Sequence, residues 1–82
     1  MKILLADDHT LFREAMLHPL RQLDTNAEIF QAGTATQALA IAHEKSDLDL
    51  VLLYLNMPGM DGLTAVMTFR DRFPDLPLVV LS

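Results

Sequence analysis

Short apolar runs alternate with amphipathic segments along the whole chain. Residues 3–6, 48–55 and 78–81 are almost wholly apolar, and the stretches between them carry apolar residues at helical spacing. Continuous apolar runs are typical of strands buried on both faces, whereas spaced ones are typical of amphipathic helices. The alternation predicts an α/β fold with the order βαβαβαβ, a doubly wound, mainly parallel sheet with helices on both faces.

The predicted elements have recognisable ends. We expect strands at 3–6, 28–31, 48–55 and 78–81, and helices that begin at Thr10, after the capping box Thr34–Gln37, and after the cap Asp61. The second helix should run to about Glu44, and Pro74 should end the third. Pro58 and Gly59 suit a type II turn before the third helix, because glycine accepts the positive φ of that turn.

The first and third helices each have a predicted apolar face. Pro19 should kink or loosen the last turn of the first helix, because it has no N–H to donate to the Ala15 carbonyl. We expect Arg13, Glu14, Arg21 and Gln22 to face solvent. The expected buried faces are Phe12, Ala15, Met16, Leu20 and Leu23 on the first helix, and Leu63, Val66, Met67 and Phe73 on the third.

Size, charge and hydropathy exclude several classes. A chain of 82 residues holds one domain, and no apolar run approaches the ~20 residues of a membrane span. Eleven acidic against six basic residues, a net charge of −5, argue against direct nucleic-acid binding. The absence of cysteine fits a cytosolic protein.

Polar residues follow the apolar strands where each strand ends. Asp7 and Asp8 follow the first strand, Tyr54 and Asn56 stand at the end of the third, and Ser82 follows the fourth. Ligands of open parallel sheets bind at this edge, and adjacent carboxylates suit a hard cation such as Mg²⁺. Taken alone, the acidic pair could equally be a solvated helix cap.

At these segments the chain resembles a known family. Residues 3–14, 51–62 and 77–82 are similar to the receiver domain of two-component response regulators, of the type that precedes a helix-turn-helix output module. The resemblance implies a CheY-like (flavodoxin-like) fold with strand order 2-1-3-4, Mg²⁺ binding, and phosphoryl transfer from a histidine kinase to an aspartate. It also implies a conformational switch that partner proteins read.

The resemblance assigns roles by position. Asp8 would hold Mg²⁺ directly, Asp7 more through water, and Asn56 through its backbone carbonyl. Ser82 would be the switch hydroxyl that contacts the phosphoryl group. The loop beside the acceptor would contain Pro58, Gly59 and Gly62.

Two departures from the family pattern change the expected function. Tyr54 stands at the acceptor position, and a neutral phenol binds Mg²⁺ poorly and cannot form an acyl phosphate. The chain also ends before the family's fourth helix, its fifth strand with a lysine, and its fifth helix. We therefore interpret residues 1–82 as a truncated receiver domain that is inactive at Tyr54 and binds Mg²⁺ weakly.

The alternatives for single residues stay open. Tyr54 is either a core aromatic with its hydroxyl on a carboxylate, or a phosphotyrosine or ligand contact. His9, His18 and His43 show no ligand spacing and are expected to be surface residues.

The expected function is that of a cytoplasmic interaction module rather than an enzyme. Partners would be a second copy, bound through the exposed fourth strand and an uncovered sheet face, or intact receivers or a histidine kinase. The alternatives are a small flavodoxin-like or phosphohydrolase-like enzyme that uses Asp7 and Asp8, or a nonfunctional fragment or altered form of an ordinary transcriptional response regulator. Against the enzyme, haloacid-type phosphatases carry acids two apart, and no phosphate loop follows the first strand.

Overall fold

Every predicted strand and helix is present in the computed structural model, which describes residues 1–81. The largest boundary difference concerns β3, which begins at Leu50 rather than Leu48, because the Leu48 N–H bonds the Lys45 carbonyl in the turn after α2. The elements in chain order are β1 Lys2–Ala6, α1 Thr10–Leu23, β2 Glu28–Ala32, α2 Ala35–Glu44, β3 Leu50–Tyr54, α3 Gly62–Arg72 and β4 Leu78–Leu81.

The four strands form one parallel sheet in the order β2-β1-β3-β4, which confirms the predicted topology. Ala6 at the end of β1 pairs with Ala32 of β2 and with Leu53 of β3. Tyr54 pairs with Leu81 of β4. The carboxyl ends of the strands therefore meet along one edge, as the parallel arrangement requires.

The core lies on both faces of this sheet. On one face, α2 and α3 pack against β1 and β3 through Ala38, Leu39 and Phe69. On the other face, Leu20 of α1 packs against Ile3 and Leu5. Because β1 and β3 are covered from both sides, their side chains are almost wholly buried, which explains their uninterrupted apolar sequences.

The predicted helix faces are partly wrong. In α1 only Leu20 is fully buried, while Phe12 and Leu23 are exposed. In α3 the buried residues are Ala65 and Phe69, and Leu63 and Met67 are 67% and 62% exposed. The small side chain of Ala65 lets the backbone of α3 approach the sheet, so the buried face is rotated from the one that bulky residues predicted.

Local signals for turns and caps are confirmed. Gly59 has a φ of 93°, as the type II turn requires. Asp61 caps α3 by accepting a hydrogen bond from the Thr64 N–H.

The predicted capping box at the start of α2 is present in a modified form. Thr34 Oγ1 accepts from the Gln37 N–H at 3.1 Å, and Gln37 Oε1 accepts from the Gly33 N–H at 2.8 Å. The return bond of the capping box thus reaches one residue before the cap.

Pro19 lies inside α1, which continues past it to Leu23. Within residues 1–81, none of the helices has the length and apolar character needed to cross a bilayer.

Candidate functional site at the carboxyl edge of the sheet

Asp7 is the buried acid of this edge, with 1% of its surface exposed. Its backbone N–H donates to the Ala32 carbonyl at 2.9 Å and so continues the pairing of β1 with β2. Its carboxylate accepts at Oδ1 from the His9 N–H at 2.8 Å. The first bond fixes the backbone of Asp7, and the second gives its buried carboxylate the polar partner that a buried charge needs.

Arg13 completes the support of this loop. We expected Arg13 to face solvent, but it is half-buried and donates from Nη1 to the Asp7 carbonyl and from Nε to Gln31 Oε1 at 3.3 Å. Its position one helical turn after the loop brings the guanidinium back over β1 and β2. The sequence signal was a basic residue shortly after an acidic strand end.

Asp8 is the half-buried acid of the edge, with 27% of its side chain exposed. Its Oδ1 atom has no solvent contact and no hydrogen-bond partner among the described residues. Oδ1 lies 3.0 Å from His9 Nδ1, but that nitrogen is hydrogen-bonded to Asp7 Oδ1 at 3.1 Å. The hydrogen-bond geometry of this nitrogen is thus met by Asp7 and not by Asp8, which leaves Asp8 Oδ1 unpaired among the described residues.

His9 is a site residue that sequence reasoning missed. It is a surface residue, as expected, with 64% of its side chain exposed, yet its Nδ1 reaches both carboxylates. The expectation that it lacks ligand spacing is therefore wrong, since Asp7, Asp8 and His9 offer ligand atoms that all lie within 4.8 Å of one another. Direct adjacency was the available signal, because the loop turns back on itself between β1 and α1.

Tyr54 lies beside this cluster at the end of β3. Its ring meets the His9 ring edge-on, with centroids 5.9 Å apart and planes at 84°. The side chain is half-buried, and no hydrogen bond joins its hydroxyl to another residue within 1–81. The expected bond from the hydroxyl to a carboxylate is therefore not found there.

The remaining predicted residues lie in the β3–α3 loop or outside the described range. Asn56 is exposed in that loop, while Met57 is buried and anchors it to the core. Gly62 is pressed against the end of β3, since a Cβ there would stand 2.6 Å from the Leu55 carbonyl oxygen. Ser82, the predicted switch hydroxyl, lies outside the described residues.

Some of the side chains at this edge, but not all, carry atoms that suit a cation. Two carboxylates, one with an unpaired and solvent-free oxygen, are the donors that a hard divalent ion prefers. Tyr54 contributes an aromatic ring and a phenol, which is a poor ligand while protonated. The edge would therefore offer a cation fewer anionic ligands than a set of three carboxylates.

Comparison with known proteins agrees with this arrangement. Residues 3–82 match the family model described as the response regulator receiver domain. The chain is 42% identical over 81 residues to the glycerol metabolism activator of Pseudomonas putida, and 35% identical over 80 residues to the nitrate/nitrite response regulator protein NarL of Escherichia coli strain K12. These matches cover 99% and 98% of this chain but only 37% of either relative.

The fold also resembles those of solved structures. The structure of the histidine kinase ThkA in complex with the response regulator protein TrrA contains a chain that matches with a TM-score of 0.85 and 30% identity. The match covers 99% of this chain and 67% of that one. The parallel sheet with its helices on both faces is thus the flavodoxin-like, CheY-like arrangement that the sequence predicted.

Proposed function

The chain belongs to the family of response regulator receiver domains, and from that membership we propose that it is a receiver whose acceptor position holds Tyr54 and takes no phosphoryl group on aspartate. The observation that carries the proposal is the placement of Tyr54. It ends the central strand β3, and its ring touches the loop that bears Asp7 and Asp8. A phenol there cannot form the acyl phosphate of the ordinary reaction.

Three groups would hold Mg²⁺ at this edge: the carboxylates of Asp7 and Asp8, and the backbone carbonyl of Asn56. The unpaired Asp8 Oδ1 supports a direct contact from that residue. A bound ion would supply positive charge to the crowded carboxylates. Because Tyr54 adds no negative charge, we propose that the affinity for Mg²⁺ is weak.

The proposed placement of the acceptor is tested by restoring a carboxylate. Tyr54→Asp should bind Mg²⁺ about tenfold or more tightly than the unmodified chain, because it adds a charged oxygen ligand at the end of β3. Thr34→Asp is the matched control, since it adds the same charge at the same edge, at the helix cap two strands away, where aspartate also serves as a cap. Equal gains from both variants, or none from Tyr54→Asp, would contradict the proposal.

The proposed biological role is that of a cytoplasmic interaction module rather than an enzyme. The curated relatives are named as regulators, and one solved neighbour is a response regulator bound to a histidine kinase. We propose intact receivers or a histidine kinase as partners. With an excess of acidic residues, this segment is not proposed to contact nucleic acid directly.

We also propose that the 82-residue polypeptide pairs with a second copy through β4 and the adjoining sheet face. Among the described strands β4 is an outer one, and Val79 and Val80 are 44% and 41% exposed. An apolar outer strand without charge offers its backbone groups to another strand. The pairing would be a homodimer or a swapped assembly.

A further inference from the structure

We infer that two copies of the 82-residue polypeptide join β4 to β4 in an antiparallel pair, with the two Val79 residues opposite each other on a two-fold axis. Two four-stranded sheets would then form one continuous sheet of eight strands. This inference rests on the proposed self-pairing and specifies its register. Within residues 1–81, β3 is the only strand that neighbours β4, so the far edge of β4 is available to a second copy.

The hydrogen bonds to β3 show which backbone groups of β4 are free. N–H groups of β3 and of the residue after it donate to the carbonyls of Pro77 and Leu81, both at 2.9 Å. Backbone groups of successive strand residues point to opposite sides, so the odd-numbered residues of β4 face β3. The N–H and C=O groups of Leu78 and Val80 therefore point away from β3, towards the free edge of the sheet.

Two-fold symmetry restricts how two identical edges can meet. Two copies of one edge strand that bond about a two-fold axis run antiparallel, with the axis perpendicular to the sheet. Residues that lie opposite each other then point their side chains to the same face. Because side chains alternate between the faces, an odd-numbered residue lies opposite an odd-numbered one. At the centre of β4, either Val79 or Val80 therefore lies on the axis.

The hydrogen bonds that each register allows favour Val79. With Val79 on the axis, Leu78 of each copy lies opposite Val80 of the other, and the free N–H groups of both residues find carbonyl partners in both copies. With Val80 on the axis, the two Val80 residues bond each other, but Leu78 lies opposite a position beyond the end of β4. The first register thus satisfies more of the free edge within the strand itself.

The side chains of this edge permit such an approach. A charge near a two-fold axis would lie close to its own copy, but β4 contains only leucine and valine. Val79 and Val80 are 44% and 41% exposed on opposite faces of the sheet, so the pairing covers apolar surface on both faces. Pro77 lacks an N–H, yet its backbone faces β3, and it removes no donor from the free edge.

The arrangement keeps the two candidate sites apart. Because the two β4 strands run antiparallel, the carboxyl edges of the two sheets lie at opposite ends of the joined sheet. Asp7 and Asp8 follow β1, which is two strands away from β4. The pairing therefore leaves the acidic loop of each copy uncovered.

Single cysteines in a chain that has none test the register. Val79→Cys places two thiols in a pair whose Cα atoms lie about 4.5 Å apart, within the range of a disulfide. Val80→Cys, the matched control of similar exposure, places them diagonally at about 8 Å, beyond that range. After mild oxidation with copper phenanthroline, the disulfide-linked fraction of Val79→Cys should exceed that of Val80→Cys about fivefold or more.

A second measurement uses the unmodified chain. Hydrogen exchange of the Leu78 and Val80 amides should slow about tenfold or more between low and high protein concentration, because these amides are bonded only in the pair. The Val79 and Leu81 amides face β3 and should be protected at both concentrations.

The outcomes separate the register from the proposed pairing. If Val80→Cys links as well as Val79→Cys or better, while the protection of β4 still depends on concentration, the register fails and the proposed pairing stands. An oligomer whose β4 amides show no such dependence would refute pairing through this strand and, with it, the register. A 9.2 kDa monomer at both concentrations would also refute both.

Discussion

The rings of His9 and Tyr54 meet edge-on, with centroids 5.9 Å apart, and so join the loop after β1 to the end of β3. These two strands are neighbours in the centre of the sheet. Tyr54 is the only tyrosine, and the chain has no tryptophan. Its fluorescence therefore reports directly on the carboxyl edge, without a competing signal from elsewhere.

Neutralising Asp8 should stabilise the metal-free protein. Asp8→Asn removes a charge whose Oδ1 is solvent-free and unpaired within residues 1–81, and we expect the free energy of unfolding to rise by about 1 kcal/mol. Urea denaturation in the presence of a chelator measures the change. Glu44→Gln, which neutralises an exposed acid on α2, is the control. A clear loss of stability in Asp8→Asn would contradict this account of the edge.

A methyl group at Gly62 should be more costly than one at Gly59. In Gly62→Ala the added Cβ would stand 2.6 Å from the Leu55 carbonyl oxygen, and such overpacking costs about 1–3 kcal/mol. In Gly59→Ala nothing lies within 4 Å, so only the positive φ of 93° opposes the change, at about 1 kcal/mol. Thermal unfolding of the two variants gives the order. Equal stabilities would mean that α3 is free to move away from β3.

The contact between the amino terminus and Asp24 should contribute less to stability in acid. The pKa of Asp24 is held below its ordinary 3.8. The larger cause is the hydrogen bond from the Asn26 N–H, and the next is the contact with the terminal ammonium at 3.1 Å. A depressed pKa stabilises the folded state above the unfolded value and loses that contribution as the pH falls through the folded value. Asp24→Asn should therefore be less stable than the unmodified chain at neutral pH, with the difference shrinking below about pH 4.

Denaturation midpoints measured across that acid range test the Asp24 prediction. Asp71→Asn, which removes an exposed acid from α3, controls for the loss of one negative charge. The midpoint difference between Asp24→Asn and the unmodified chain should close on acidification. A difference that widens as the pH falls would contradict the prediction that ionised Asp24 stabilises the folded state.

A charge on β4 should disrupt self-association. Val80 is 41% exposed on the outer strand, and Val80→Lys places an ammonium where a second strand would pair. Light scattering of the 82-residue polypeptide should give a mass above 9.2 kDa that falls to the monomer value in Val80→Lys. Thr36→Lys, on the exposed side of α2, should leave the assembly intact. A 9.2 kDa species for the unmodified chain would refute the pairing.

The fold was predictable because strands and helices have different hydrophobic spacing. The runs in β1 and β3 are so uniformly apolar that only strands covered on both faces explain them. The buried faces of the helices were harder to predict, since Phe12 and Met67 are apolar but lie exposed, while Ala65 is small and buried. Spacing identifies a helix, but the side that faces the sheet depends on close approaches such as that of Gly62, which hydrophobicity does not record.

The candidate site was predictable where it depends on strand ends. Asp7, Asp8 and Tyr54 follow from the parallel topology, because strand ends meet at one edge. The roles of His9 and Arg13 depend on how the loop after β1 folds back, which periodicity does not describe. Both residues follow the acidic pair closely in sequence, His9 directly and Arg13 five residues after Asp8.

The most direct test of the central claim is the intact mass of the chain after incubation with acetyl phosphate and Mg²⁺. In the proposed assignment Tyr54 holds the acceptor position, so no carboxylate stands where a receiver takes up the phosphoryl group, and the account predicts an unmodified mass. Tyr54→Asp, treated in parallel, shows whether a carboxylate at this position can be labelled in this chain. A phosphoryl adduct on the unmodified chain, located to Asp7 or Asp8 by fragmentation, would contradict the account.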